Sequence, residues 1–121
     1  MKKILVVDDE ADITMSIKNG LQRNGFQVDA FNDPVTALEN YRADAYDLLL
    51  IDIRMPKMNG FELYREIKKK GVNSKVCFFT AFEVYYDEFK KVFPTLDVKC
   101  FIRKPITIMD LTAHINSELA S

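Results

Sequence analysis

Four consecutive apolar residues, Leu48-Leu49-Leu50-Ile51, stand between two acids, Asp47 and Asp52. A run this short, with no polar face, suits a strand covered on both sides, as strands of a parallel sheet are. Parallel strands need crossover connections, usually helices, so the remainder of the chain should alternate strand with helix. The same reasoning places the chemistry. Open α/β sheets hold their ligands beyond the carboxyl ends of the strands, and Asp52 stands at such an end.

The alternation is present. Residues 3–7 form an apolar, β-branched run, followed by Asp8-Asp9-Glu10. Ile13, Ile17 and Leu21 then recur every fourth residue and predict a helix, with Gly25 just past its end. Residues 27–31 alternate and predict a second strand nearer a sheet edge. Asp33-Pro34 marks the next helix start, Asp33 as cap and Pro34 as first helical residue, with Val35, Leu38 and Tyr41 as the apolar face. After the Asp52 strand, Asn59 can cap a helix that turns Phe61, Leu63, Tyr64 and Ile67 to the core. Lys68-Lys69-Lys70 suits its carboxyl end through the macrodipole, and Gly71 terminates it. Residues 75–80 predict a fourth strand, 83–93 a fourth helix stopped by Pro94, and 97–102 a fifth strand. Thr107 with Asp110 resembles a capping box ahead of a last helix carrying Ile108, Leu111, Ile115 and Leu119. The expectation is an α/β fold in which βα repeats five times: a doubly wound, five-stranded parallel sheet with helices on both faces, residues 1–121 forming one domain.

Bulk properties narrow the function. A net charge of -1 gives no electrostatic basis for direct nucleic-acid binding. No apolar run approaches the length that spans a bilayer, and residues 4–7 are too few for a signal-peptide core, so a cytoplasmic protein with no membrane partner is expected. Cys77 and Cys100 lie in apolar strand-like runs without the spacing of a redox pair or zinc site, and His114 cannot complete a cluster. They are expected to be buried free thiols.

Polar residues collect where strands end: Asp8-Asp9 after the first, Asp52 at the third, Thr80 at the fourth and Lys104 after the fifth. Each alone has an ordinary explanation as a cap, a turn acid or a solvated lysine. In a parallel sheet, however, all of these ends lie on one edge. Neighbouring carboxylates raise one another's pKa, and a hard cation such as Mg²⁺ relieves them. A metal-neutralised aspartate can attack a phosphoryl group to form an aspartyl-phosphate. Lys104 supplies a cation and Thr80 a hydrogen bond for the phosphoryl oxygens. No glycine-rich phosphate loop is present, which argues against a bound nucleotide.

Over essentially its whole length the chain resembles the receiver domain of two-component response regulators. The matching stretches are Ile4-Leu5-Val6-Val7-Asp8-Asp9-Glu10, Leu50-Ile51-Asp52 with Met55-Pro56 and Asn59-Gly60, Thr80-Ala81, and Lys104-Pro105. The resemblance implies a flavodoxin-like strand order 2-1-3-4-5. It implies that Asp52 is the phosphoacceptor, that Asp9 binds Mg²⁺ directly and Asp8 through water, and that the backbone carbonyl of Arg54 completes the metal site. Thr80 would be the switch hydroxyl, the Ala81 N–H a phosphoryl donor, and Lys104 the partner of the phosphoryl oxygens, with a cis bond to Pro105. Phe101 would be the aromatic switch. The implied activity is signalling rather than enzymatic metabolism. A sensor histidine kinase or phosphotransfer protein supplies the phosphoryl group, and a face made by the fourth helix, fifth strand and fifth helix meets an effector or a second copy of the chain.

Two departures from the family pattern stand out. Residues 92–97 lack the usual glycine, and the region carries Phe82, Tyr85, Tyr86, Phe89 and Phe93, more aromatics than one core face needs. Arg54 and Phe82 would border the phosphoryl group and shield it from water. The competing readings are a small Mg²⁺-dependent phosphatase of the haloacid-dehalogenase type, which would want an acid where Arg54 stands, and a flavodoxin-like cofactor binder, whose phosphate the acidic edge would repel. A receiver excised from a longer regulator is a further reading, and Met1 tips the balance toward a stand-alone one.

Overall fold

A computed structural model describes residues 1–81, 91 and 100–121. They contain β1 (Lys3–Val7), α1 (Ala11–Arg23), β2 (Gln27–Phe31), α2 (Pro34–Asn40), β3 (Leu48–Asp52), α3 (Gly60–Lys70), β4 (Lys75–Thr80), β5 (Cys100–Arg103) and α4 (Ile108–Ala120). The five strands form one sheet in the order β2-β1-β3-β4-β5, every pair parallel. This is the expected flavodoxin-like order. The expected helix over 83–93, residues 97–99 of the expected fifth strand, and Phe82, Tyr85, Tyr86, Phe89 and Phe93 lie outside the described residues.

The uniform apolarity of β3 follows from its central place, because its side chains alternate between two separate cores. Leu49 and Ile51 join Leu5, Val7 and Phe78 beneath Ala37 of α2 and Phe61, Leu63 and Ile67 of α3. Leu48 and Leu50 join Ile4, Val6, Cys77, Phe79 and Ile102 beneath Ile17 and Leu21 of α1 and Leu111 and Ile115 of α4. Burying each such leucine or isoleucine contributes about 1.5–3 kcal/mol.

The helix starts follow the sequence signals. The Asp33 carboxylate accepts the Thr36 N–H at 3.3 Å, with Pro34 as first helical residue. Asn59 and Glu62 form a full capping box: the Asn59 side chain accepts the Glu62 N–H at 2.9 Å, and Glu62 accepts the Asn59 N–H at 3.1 Å. Thr107 accepts the Asp110 N–H at 3.1 Å.

Two expectations need correction. The face of α2 does not include Val35, which is 37% exposed; it runs through Pro34, Ala37, Leu38 and Tyr41. That is helical spacing counted from the proline, one residue earlier than expected. Cys77 and Cys100 are not free thiols. Parallel pairing of β4 with β5 puts them directly opposite, Cα atoms 4.6 Å apart, and their sulfurs are bonded. Their separation of 23 residues carries no local signal; strand register alone brings them together.

Replacing Asn59 with Ala should remove the side-chain half of the capping box, leaving the backbone N–H of residue 59 still able to donate to Glu62, and lower the unfolding free energy by about 1 kcal/mol, read as a lower urea midpoint with an unchanged slope.

Candidate functional site

Parallel pairing brings four strand ends to one edge. Val7, the last residue of β1, is opposite Ile51; Asp52 is opposite Phe79; and Thr80 is opposite Arg103. Asp8, Asp52, Thr80 and Lys104 therefore arrive together, although Asp8 and Lys104 are 96 residues apart. The edge holds a cleft of about 130 Å³ lined by Asp9, Glu10, Asp52, Arg54, Thr80, Ala81 and Lys104. Of the residues expected to hold the metal or the phosphoryl group, Asp9, Asp52, Arg54, Thr80, Ala81 and Lys104 line it, and Asp8 is fully buried beside it.

Carboxylate oxygens of Asp8, Asp9 and Asp52 lie within 4.8 Å of one another. The Lys104 Nζ stands 2.5 Å from Asp8 Oδ2 and 3.5 Å from Asp52 Oδ1. The same ammonium lies 4.6 Å from the centroid of the Phe79 ring, an attractive cation–π placement. Its backbone is fixed as well: the Lys104 N–H donates to the Thr80 carbonyl at 2.7 Å, and the following bond to Pro105 is cis, as expected. The second oxygen of Asp8, Oδ1, accepts the Glu10 N–H at 2.9 Å.

Asp52 is 5% exposed. Burial, then the charge of Asp8, raises its pKa from 3.8 to about 7; Lys104 opposes the rise and Asp9 adds to it. One lysine thus does not neutralise the cluster, and Asp52 is still exchanging its proton near neutral pH. The donor set is all oxygen, close-spaced and under-neutralised, which fits a small hard dication. Chemically, the arrangement offers a nucleophilic carboxylate at the head of a small cleft. A hydroxyl from Thr80 and a cation from Lys104 flank it.

Two supporting residues had no assigned role in the sequence. A Cβ on Gly60 would overlap the backbone carbonyl of Asp52, and the Gly60 N–H donates to the Ile53 carbonyl at 2.8 Å. Glycine there lets α3 begin hard against the end of β3. Asn32, just after β2, donates from Nδ2 to the Asp8 carbonyl at 3.1 Å and to Thr14 Oγ1 at 2.7 Å, tying the end of β1 to α1. The residue that follows β2 therefore holds the Asp8 backbone in place. Arg54 is exposed at the cleft, and Phe101 stacks on Phe78 with ring centroids 5.7 Å apart.

Ionising a buried Asp52 costs stability as pH rises from its ordinary pKa through about 7. In metal-free protein, Asp52→Asn should therefore be stabilising above about pH 7, by about 2 kcal/mol after discounting for the nearby lysine and cleft water. The gain should vanish by about pH 4, where wild-type Asp52 is already protonated in the fold. Urea unfolding across pH measures it.

The chain matches the family model for the response regulator receiver domain over residues 4–116. Among curated relatives, the transcriptional regulatory protein SpaR of Bacillus subtilis is 37% identical over 119 residues, covering 98% of this chain and 52% of the relative. The response regulator MprA of Mycobacterium leprae is 31% identical over 119 residues, covering 97% of this chain and 50% of the relative. The chain thus spans about half the length of these relatives. Among solved structures, a CheY-like receiver domain protein from Methanospirillum hungatei superposes with a TM-score of 0.86 at 28% identity, covering 99% of this chain and 94% of that one. The response regulator TrrA of Thermotoga maritima, solved in complex with Mg²⁺ and BeF, gives 0.81 at 30% identity, covering 97% and 98%. The matched span takes in all five strands apart from Lys3, together with every strand-end residue of the cleft, and the chain belongs to the response regulator receiver domain family.

Proposed function

We propose that the chain is a phosphorylation-controlled switch of a two-component phosphorelay, in which Asp52 accepts the phosphoryl group. The observation that carries this reading is the Asp52 carboxylate itself, held 3.5 Å from the Lys104 ammonium and in reach of two further acids at the head of the cleft. A carboxylate oxygen of Asp52 attacks phosphorus, and the donor's imidazole nitrogen leaves. Lys104 turns from Asp8 toward the phosphoryl oxygens, while the Thr80 hydroxyl and Ala81 N–H donate to them.

Asp9, Asp52 and the Arg54 backbone carbonyl would hold Mg²⁺. Both oxygens of Asp8 already have protein partners, which suits a contact through water. When bound, the ion keeps Asp52 ionised and offsets the charge of the incoming phosphoryl group.

Drawing Thr80 toward the phosphoryl group disturbs β4 and its neighbour β5, where Phe101 sits. The change reaches a partner through the face that includes β5 and α4. A sensor histidine kinase or phosphotransfer protein in the cytoplasm would supply the phosphoryl group, and an effector protein or a second copy would read the switch. Arg54, lining the cleft, shields the phosphoryl group from water and lengthens its life. This is signalling rather than metabolic catalysis; with Arg54 two residues after the nucleophile, the haloacid-dehalogenase phosphatase reading lacks its second acid.

Acetyl phosphate with Mg²⁺ should add one phosphoryl group to wild type by intact mass and none to Asp52→Ala, and Arg54→Ala should lose it several-fold faster. An equal mass gain in Asp52→Ala would contradict the assignment.

A further inference from the structure

The phosphoryl chemistry makes no use of Cys77 and Cys100, yet they occupy a sensitive place. Cys77 lies three residues before Thr80, and Cys100 lies beside Phe101 and four residues before Lys104. β5 is an edge strand, described over four residues, and its sheet partner is β4. A covalent bond at the Cys77–Cys100 register position therefore ties the edge strand to the strand that ends in Thr80. Its sulfurs lie with the core beneath α1 and α4, while the Phe101 ring packs against the other core.

The surroundings fit a bond that forms and breaks. Cys77 is fully buried, whereas Cys100 is partly exposed, so the pair lies at the margin of its core rather than at the centre. Glu118 of α4 brings a carboxylate oxygen within 4.8 Å of both sulfurs.

We propose that Cys77 and Cys100 form a reversible thiol–disulfide site, oxidised by a low-molecular-weight disulfide, which locks β5 onto β4 and gives the receiver a redox input separate from its phosphoryl input. The Cys100 sulfur, on losing its proton, attacks one sulfur of the small disulfide and expels the first small thiol. The Cys77 sulfur, on losing its own proton, attacks the Cys100 sulfur and expels the second. Two protein thiols and one small disulfide thus become one protein disulfide and two small thiols. A small dithiol reverses the sequence. Intracellular disulfides that come and go are typically of this sensing or catalytic kind.

The test uses the full chain equilibrated with oxidised glutathione or with dithiothreitol. After each treatment, thiols are counted by alkylation and intact mass, and amide exchange is followed at Phe101, Ile102 and Arg103. Oxidised glutathione should leave a monomer with no free thiol, and dithiothreitol should restore two. Closing a span of 23 residues should slow exchange in β5 by about 100-fold in the oxidised form. Cys100→Ser should exchange at the fast rate under both conditions. Thiols that stay free in oxidised glutathione, a lasting glutathione adduct at Cys100, a disulfide between chains, or equal β5 exchange in the two forms would overturn the proposal.

Discussion

The functional edge of this domain depends on one ammonium group shared between two buried acids. Lys104 stands 2.5 Å from Asp8 and 3.5 Å from Asp52, at the head of a cleft of about 130 Å³, and carries the ammonium that holds these two buried carboxylates side by side. That ammonium does not offset the whole cluster. Asp52 remains shifted up to about 7, because burial and the Asp8 charge outweigh the lysine. The cluster is therefore poised to take a further cation, and such a cation would switch Asp52, the proposed nucleophile, to the ionised state. The energetic deficit at this edge has a functional sense that a fully neutralised cluster would lack.

The sheet is what makes that contact possible. Parallel pairing aligns the carboxyl ends of β1, β3, β4 and β5, so residues distant in the chain converge without any local motif. Supporting groups lock the arrangement. Gly60 lets α3 press against the Asp52 carbonyl, Asn32 ties Asp8 to α1, and the backbone of Lys104 is held by Thr80. The two cores on either face of the sheet resist movement of the strands and hold the carboxyl edge in place.

Much of this was legible in the chain. The unbroken apolarity of residues 48–51 announced a strand buried on both faces, and Asp33-Pro34 and Asn59 announced helix starts. The convergence of Asp8, Asp52, Thr80 and Lys104 at one sheet edge was legible because a strand end is a place that a sequence pattern can locate. What escaped notice depends on three-dimensional register or close approach. The face of α2 begins at Pro34 because a helix counts its stripe from where it starts, and Val35 falls outside it. Gly60 reads as a loop glycine until the Asp52 carbonyl is placed against it. Asn32 reads as a turn residue until β2 lies beside β1. The Cys77–Cys100 bond follows from strand pairing across 23 residues, a distance over which cysteine spacing says nothing.

An under-neutralised acidic cluster holds Asp52 partly protonated, and a dication would complete it. Calorimetric titration of Mg²⁺ between about pH 6 and about pH 8 tests it most directly. With an Asp52 pKa of about 7, affinity should rise about 10-fold across that range, and binding near the lower end should release a proton to the buffer. Asp52→Asn should bind more weakly and lose this pH dependence. Wild-type affinity that stays flat across the range, with no proton released, would contradict the account.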